Sequence, residues 1–236
     1  MKKKLVVFSG AGISAESGLS TFRDNDGLWE NYNINEVATP EAWEENPKLV
    51  LDFYNLRRKN AFEAQPNLAH KSISELETHV DVTVITQNID DLHERSGSSN
   101  VVHLHGEVKK VRSTGTNKLY DYGSHPLYLG DVCPEGYQLR PHVVWFGEEV
   151  PNLGLAQEII STADFLIITG TSLNVYPAAG LIYAAREDAK KFLVDLSSEL
   201  RNNSIKNLIT FKEKATIGIP KVAEIIKEDV KATNAL

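Results

Sequence analysis

The sequence predicts an α/β domain, a parallel sheet flanked by helices with smaller pieces inserted into it. Two observations carry this. Short runs of β-branched and apolar residues recur at 4–9, 82–86, 101–104, 164–168 and 191–194, with helical patterns between several of them, the alternation expected of parallel strands. Most of these runs stop abruptly at glycines, amides, hydroxyls or carboxylates, and open parallel sheets bind ligands outside the carboxyl ends of their strands. The 236 residues suffice for one large domain, or one domain with a small insert.

The totals narrow the function. A net charge of −7 argues against a nucleic-acid protein, because phosphate binding wants a basic surface. The opening Lys2-Lys3-Lys4-Leu5-Val6-Val7-Phe8 has an apolar part too short for a signal peptide, and no stretch is long enough to span a membrane. One cysteine, Cys133, excludes an internal disulfide and a multi-cysteine zinc site, so a reducing cytoplasm is the expected location.

Residues 4–9 are the first strand. Gly10-Ala11-Gly12-Ile13-Ser14-Ala15 fits G-x-G-x-x-A at a strand-to-helix turn, where glycines let backbone N–H groups approach a pyrophosphate and a small alanine permits close packing. The competing reading is a tight turn before a helix. A dehydrogenase would run promptly into a helix, a second strand and an acidic residue for the ribose. Here residues 19–46 are polar with no strand-like run, so a long excursion interrupts the first crossover. Within it, Thr21-Phe22-Arg23-Asp24 is expected in a loop near the phosphates, with Arg23 pairing a phosphate and Phe22 covering a ring. A surface arginine and a core phenylalanine are the plainer assignment.

Asn46 and Pro47 start a helix as N-cap and first helical residue, with Leu49, Val50, Phe53 and Leu56 as its apolar face. Tyr54 and Arg57 are three apart and so are neighbours. They suit a carboxylate ligand, but the residues alone favour a solvated pair beside Arg58 and Lys59. A second helix, about 68–78, leads to the strand holding Val82, Val84 and Thr86, which stops at Gln87-Asn88-Ile89-Asp90-Asp91. A short polar helix ending at Gly97 precedes the strand at 101–104, which delivers His105 next to Gly106. Residues 107–139 lack periodicity and read as a small irregular or β module. Residues 140–148 are a strand entering a turn, and 153–162 a helix. The buried strand at 164–168 ends in Thr169-Gly170-Thr171-Ser172, another hydroxyl-rich turn. A helix at 178–186, a strand at 191–194 ending at Asp195, a last strand at 208–211 and a closing helix at 221–227, approached through 215–220, complete the chain.

His105 is the natural candidate for acid–base work, since an imidazole titrates near neutrality. His103 lies two residues earlier and faces the same side. The position at the strand's end favours His105. A metal bound by His103, His105 and a carboxylate lacks a clear third ligand. No G-x-S-x-G elbow or Cys–His pair is present.

Taken in order, the glycine turn, Phe22-Arg23, Gln87-Asn88-Ile89-Asp90, His103-Leu104-His105-Gly106 and Gly170-Thr171-Ser172 make this chain resemble the sirtuins, NAD-dependent protein lysine deacylases. The resemblance runs from Leu5 to about Pro220. It implies one catalytic domain, with a Rossmann-like NAD-binding part at 1–23, 80–107 and 141–236, a helical insert at 24–79 and a small module at 108–140. It implies that Gly10, Ala11, Gly12 and Ala15 cradle the pyrophosphate, and that Phe22 and Arg23 belong to the loop over the nicotinamide ribose. Gln87 matches a ribose contact, and Asn88, Ile89 and Asp90 the nicotinamide pocket. Gly170, Thr171 and Ser172 match the second phosphate and ribose turn, and Ala215 the adenine edge. Asp195 stands where the family usually has asparagine against the adenosine ribose; a carboxylate still accepts from a hydroxyl and repels a 2′-phosphate. His105 matches the catalytic base, which takes a proton from the ribose hydroxyls as the acyl group passes to ADP-ribose and nicotinamide leaves. Residues 143–148 and 174–176 match the segments that sandwich a substrate peptide as an added strand. Among them Val144 and Phe146 line the acyl-lysine tunnel, with Gly147, Asn174 and Val175 beside them.

The Tyr-x-x-Arg spacing of Tyr54 and Arg57 resembles the sirtuin branch that removes succinyl and malonyl groups, where the pair holds the acyl carboxylate. One departure is clear. Most sirtuins carry a zinc module with two cysteine pairs, whereas this interval holds only Cys133, with Ser113 and Thr116 about where the first pair would be. No structural zinc is expected, the module being held instead by Tyr120, Tyr122, Leu127, Tyr128 and Leu129. The expected partners are acylated lysines in proteins or peptides, not nucleic acid or membrane. An ADP-ribosyltransferase on the same fold and a catalytically silent NAD- or peptide-binding module stay open as alternatives; Asn88, Asp90 and His105 speak against the second.

Overall fold

The structure, a computed structural model, describes residues 2–21, 28–29, 32–171, 173, 176–196 and 205–234. Strand β1 (Lys4–Ser9) is buried from Leu5 onward. The glycine turn after it does not open an α-helix. Two 3₁₀ turns follow, Ala11–Ile13 and Ala15–Ser17, ended by Gly18 in the left-handed region. The stretch that shows no strand-like run in sequence holds a two-stranded ribbon, β2 (Leu28–Trp29) with β3 (Tyr32–Asn33), and two short helices, α1 (Ile34–Val37) and α2 (Pro40–Glu45). Elements this short have no measurable periodicity. They are set by caps, with Asn33 accepting from the Asn35 amide and Thr39 from the Ala42 amide.

Helix α3 (Pro47–Glu63) begins as the sequence predicts, with Asn46 accepting from the Leu49 amide and Pro47 at the first position. Of its predicted apolar face, Val50 and Phe53 are buried and Leu49 packs against the core, but the buried surface extends to other positions. Leu56 is 39% exposed, whereas Tyr54, Arg57 and Arg58 are buried. The solvated Tyr54–Arg57 pair is therefore overturned, because α3 is covered on two sides. Arg58 reaches the chain beyond the sheet, donating to the carbonyls of Val108 (2.8 Å) and His125 (3.2 Å). Helix α4 (Leu68–Glu75) follows, capped by Asn67, whose side-chain amide also donates to the Ile13 carbonyl at 2.8 Å.

Strand β4 (Asp81–Thr86), helix α5 (Leu92–Arg95) and strand β5 (Val101–His103) come next. Strands β6 (Gly106–Ser113), β7 (Leu119–Asp121) and β8 (Leu139–Val143) form a separate three-stranded antiparallel sheet. The strand expected at 140–148 thus lies in the small module, not in the main sheet. Helix α6 (Leu153–Ser161), strands β9 (Phe165–Thr169), β10 (Lys190–Val194) and β11 (Leu208–Phe211), and helix α7 (Ala215–Asn234) finish the chain. The expected helix at 178–186 is a 3₁₀ helix, Ala178–Ala184. Helix α7 already begins at 215, since Ala215 and Ile219 pack under the sheet, and Pro220 is accommodated inside it.

The main sheet has the order β11-β10-β9-β1-β4-β5, all parallel. Renumbered by appearance, this is the doubly wound dinucleotide-binding order, with its topological switch between β1 and β9. Helices α4 and α7 cover one face, and α6 with the 3₁₀ helix covers the other. Among the described residues no helix is long and apolar enough to cross a membrane.

The small module has its own core of Val111, Leu127, Cys133 and Leu139 with Leu51 of α3, and Trp43, Tyr120 and Tyr122 pack on it. Tyr128 and Leu129, expected inside, are 57% and 52% exposed. Cys133 Sγ lies 3.3 Å from Ser113 Oγ. Polar ties do the remaining joining: Tyr122 donates to Asp131 at 3.0 Å, and Gln138 donates to the carbonyls of Tyr128, Asp131 and Leu139.

Candidate active site

A cavity of about 550 Å³ opens at the carboxyl ends of the main sheet and reaches under α3 and the loop after β8. It sits at the switch point, where open α/β sheets place their ligands. The loops after β1 and β9 meet there backbone to backbone. The Gly12 amide donates to the Gly170 carbonyl at 2.8 Å, and a β-carbon on Gly12 would lie 2.7 Å from Gly170 Cα. Gly170 itself has φ of 63°, a region that favours glycine. Gly10 stands behind this joint, donating to the Thr169 carbonyl at 3.0 Å, and does not line the cavity. So the glycines serve first to bring the two loops together, while Ala11, Gly12, Ala15, Gly170 and Thr171 form the surface offered to a ligand.

The loop after β4 supplies Gln87, Asn88, Ile89 and Asp90, all of which line the cavity. Ser14, from the glycine turn, bridges two of them. Its hydroxyl accepts from Asn88 Nδ2 (3.1 Å) and donates to Asp90 Oδ2 (3.1 Å). Asp90 Oδ1 accepts from the Leu92 amide at 3.1 Å, and burial pushes the Asp90 carboxyl above its usual range. Behind them runs a second chain: Ser9 Oγ donates to Thr86 Oγ1, which also accepts from the Asn88 amide, and His93 Nε2 lies 2.9 Å from Ser9 Oγ.

His103 and His105 fall into opposite environments. His105 lines the cavity, and its Nδ1 donates to the Gln87 carbonyl at 3.1 Å. That fixes the tautomer and leaves the Nε2 lone pair available. Burial lowers the His105 pKa, so the neutral form prevails at neutral pH. The chain turns sharply at Gly106, whose φ is 81° and where a β-carbon would meet the His142 carbonyl at 2.2 Å. His103 points away, with Nδ1 2.9 Å from the Asn88 carbonyl and Nε2 2.8 Å from Glu94 Oε1. Both nitrogens face acceptors, which requires an imidazolium. Burial opposes that charge, but Glu94 and the Asn88 carbonyl outweigh it and raise the pKa.

Glu94, His103 and Glu107 present ligand atoms within 4.8 Å of one another, the one such group among the described residues. Glu107 is held by Lys109 and Lys110, and His103 is used on both nitrogens, so the group reads as an ion-pair network.

The far wall comes from α3 and the loop after β8. Tyr54 (1% exposed) and Arg57 (8% exposed) both line the cavity. Arg57 Nη1 reaches the Ser20 carbonyl at 3.4 Å. Trp145 Nε1 donates to the Tyr54 hydroxyl at 3.1 Å. Val144 donates its amide to the His105 carbonyl (2.9 Å), Phe146 donates to the Ala38 carbonyl (3.0 Å), and Gly147 takes a φ of 90°; all three line the cavity. Asp195 and Ala215 close the opposite end. Phe22, Arg23, Ser172, Asn174 and Val175 lie outside the described residues.

Ser14 and Trp145 belong to this site without having been singled out from the sequence. Ser14 occupies a variable place of the glycine motif, and Trp145 reads as an ordinary strand-end aromatic. Glu16 is a third case: its carboxylate accepts from the amide and hydroxyl of Thr216 (3.2 and 2.9 Å), tying the glycine turn to the start of α7.

The residues present suit NAD. Gln87 Oε1 accepts from Thr171 Oγ1 at 3.2 Å, while its buried Nε2 has no partner among the described residues, a donor suited to a sugar hydroxyl. The comparisons agree. The model of the Sir2 family matches residues 10–177. A Helicobacter pylori protein named NAD-dependent protein deacylase is 55% identical over 193 residues, 82% of this chain and 84% of that one. A protein of the same name from Bacteroides thetaiotaomicron is 45% identical over 230 residues, covering 95% and 98% of the two chains. The crystal structure of a Sir2 homologue in complex with NAD superimposes with a TM-score of 0.85 at 38% identity, covering 97% of this chain and 91% of that one. With the family model, these relatives and the fold in agreement, the chain belongs to the Sir2 family.

Proposed function

We propose that this protein is an NAD-dependent protein lysine deacylase that prefers acyl groups ending in a carboxylate. NAD, consumed as co-substrate, supplies the ADP-ribose that takes the acyl group and the nicotinamide that departs. Ala11, Gly12, Ala15, Gly170 and Thr171 hold its phosphates, with Gln87 at a ribose. Asn88, Ile89 and Asp90, pinned by Ser14, take the nicotinamide, and Asp195 and Ala215 take the adenosine end. His105 is the general base. Its Nδ1–H is committed to Gln87, so Nε2 accepts the proton of a ribose hydroxyl and makes that oxygen nucleophilic. Val144, Phe146 and Gly147 receive the acylated lysine of a protein or peptide.

The acyl preference rests on one observation: Tyr54 and Arg57 are buried and line the same cavity as His105. A guanidinium withdrawn from water is stabilised by a carboxylate more than by a methyl group, and a phenol beside it adds a second donor. The test is a panel of acetyl-, malonyl- and succinyl-lysine peptides with and without NAD, on the native protein and Arg57→Met. Desuccinylation is expected to fall roughly 100-fold in the variant, since truncating one partner of a buried charge pair costs about 2–5 kcal/mol. Deacetylation should be comparatively spared. Equal losses on both peptides would reject the acyl assignment.

A further inference from the structure

We infer that Trp145 is a positioning residue for acyl selectivity, acting through the Tyr54 hydroxyl; this deepens the acyl reading above and rests on it. The indole N–H donates to the phenol oxygen at 3.1 Å, in a buried contact between the loop after β8 and α3. A phenol that accepts from a fixed N–H cannot turn its proton toward that side. With the indole N–H on one side and no acceptor for its proton among the described residues, the Tyr54 hydroxyl, which lines the cavity with Arg57, is left to donate to a bound ligand. Tyr54 thereby becomes a donor of set direction, suited to one carboxylate oxygen while Arg57 takes the other.

The indole is itself held from behind the cavity. Arg140 stacks over it, with the guanidinium carbon 3.4 Å from the ring centroid, and Trp43 packs at 5.9 Å. Glu148 accepts from the Trp145 amide (2.8 Å) and from Arg140 Nη1 and Nη2 (2.8 and 3.0 Å). Arg140 and Trp43, which do not line the cavity, thus brace an indole that sets the angle at which one donor meets the substrate. A phenylalanine at 145 would fill much of the space and orient nothing.

The experiment compares kcat/KM for succinyl- and acetyl-lysine peptides in Trp145→Phe, Tyr54→Phe and the double variant, with Arg57→Met alongside. Trp145→Phe is expected to lower the succinyl-to-acetyl ratio about tenfold, the loss of one well-directed hydrogen bond, chiefly through KM. In the Tyr54→Phe background the same change should have almost no further effect on the ratio. If Trp145→Phe folds poorly, β-(3-benzothienyl)alanine at 145 keeps the two-ring shape, lacks the N–H, and should give the same fall. An unchanged ratio in these variants, or a fall that persists undiminished without the Tyr54 hydroxyl, overturns the inference. Should Arg57→Met leave the ratio intact, the acyl reading itself fails. A ratio that falls in Arg57→Met but holds in the Trp145 variants removes the positioning role alone.

Discussion

Along the sheet edge, the cavity wall is made of strand ends: Gly12 and Ser14 after β1, Gln87 to Asp90 after β4, Gly170 and Thr171 after β9. Facing it, the wall is a helix, α3, and a loop that leaves the small sheet. The first wall is bonded within itself. Ser14 joins Asn88 to Asp90, Thr171 joins Gln87, and the Gly12 amide joins Gly170. The second is bonded across two inserted pieces, Trp145 to Tyr54 and Arg58 to Val108. A wall built on parallel strands offers fixed atoms to the part of a substrate that every reaction shares. A wall assembled from inserts is free to differ with the group being removed. Substitutions on the sheet edge should therefore lower activity toward all acyl-lysines alike, and those on α3 should change the ranking among them.

The sharpest way to break this division is at the two histidines. His105→Ala is expected to reduce nicotinamide release with succinyl and acetyl peptides alike, by roughly 10²–10⁴-fold, the range for a lost general base. His103→Ala should cost far less on both, because His103 braces the Asn88 loop and does not face the cavity. Single-turnover assays on both variants, with circular dichroism to verify folding, check this. A His105 variant that lost only desuccinylation would erase the distinction between the walls.

How much was visible in the residue order follows the same line. Strand-end motifs are local, so the glycine turn, Gln87 to Asp90, His105 and Gly170 could be read directly, as could the parallel sheet that carries them. The alternation that marks strands is also local. What escaped depends on contacts between segments distant in sequence. Tyr54 and Arg57 looked solvated because nothing on α3 announces the cover supplied by 143–148. Trp145 gains its meaning only from Tyr54, 91 residues earlier. Tyr128 and Leu129 are core-like by type, yet the module closes on Val111, Leu139 and Leu51 instead, which no pattern within 107–139 reveals. The helices at 34–45 fall within the helical insert that the resemblance implies at 24–79, but the residues themselves do not place them, because one or two turns fixed by Asn33 and Thr39 leave no periodic trace.

Ser14→Ala sharpens the comparison at a smaller scale. It leaves Asn88 Nδ2 and Asp90 Oδ2 without their shared hydroxyl in a buried place, a cost of about 1–3 kcal/mol per orphaned group. Expected is a fall of about tenfold or more in kcat/KM for NAD, equal for every acyl peptide, since on the proposed assignment Asn88 and Asp90 take the nicotinamide and not the acyl group. A change confined to succinyl substrates would show instead that the two walls communicate through the glycine turn.

The finest effect is on the pH profile, and it separates the two histidines without any mutation. The acid limb of kcat/KM reports the free enzyme's base. His105 is pushed below the ordinary imidazole value of 6.5 by burial, only partly offset by its bond to the Gln87 carbonyl. Its base form is the neutral one, so activity should persist as pH falls through 6.5 and decline only below it. His103 is raised above 6.5 by Glu94 and the Asn88 carbonyl despite its burial. Were His103 the base, the decline would already have begun above 6.5. The limb should also fall at the same pH for acetyl and succinyl peptides, because a succinyl carboxylate is already ionised there and the proton acceptor belongs to the wall they share. A limb that moved with the acyl group would place the titrating residue on α3.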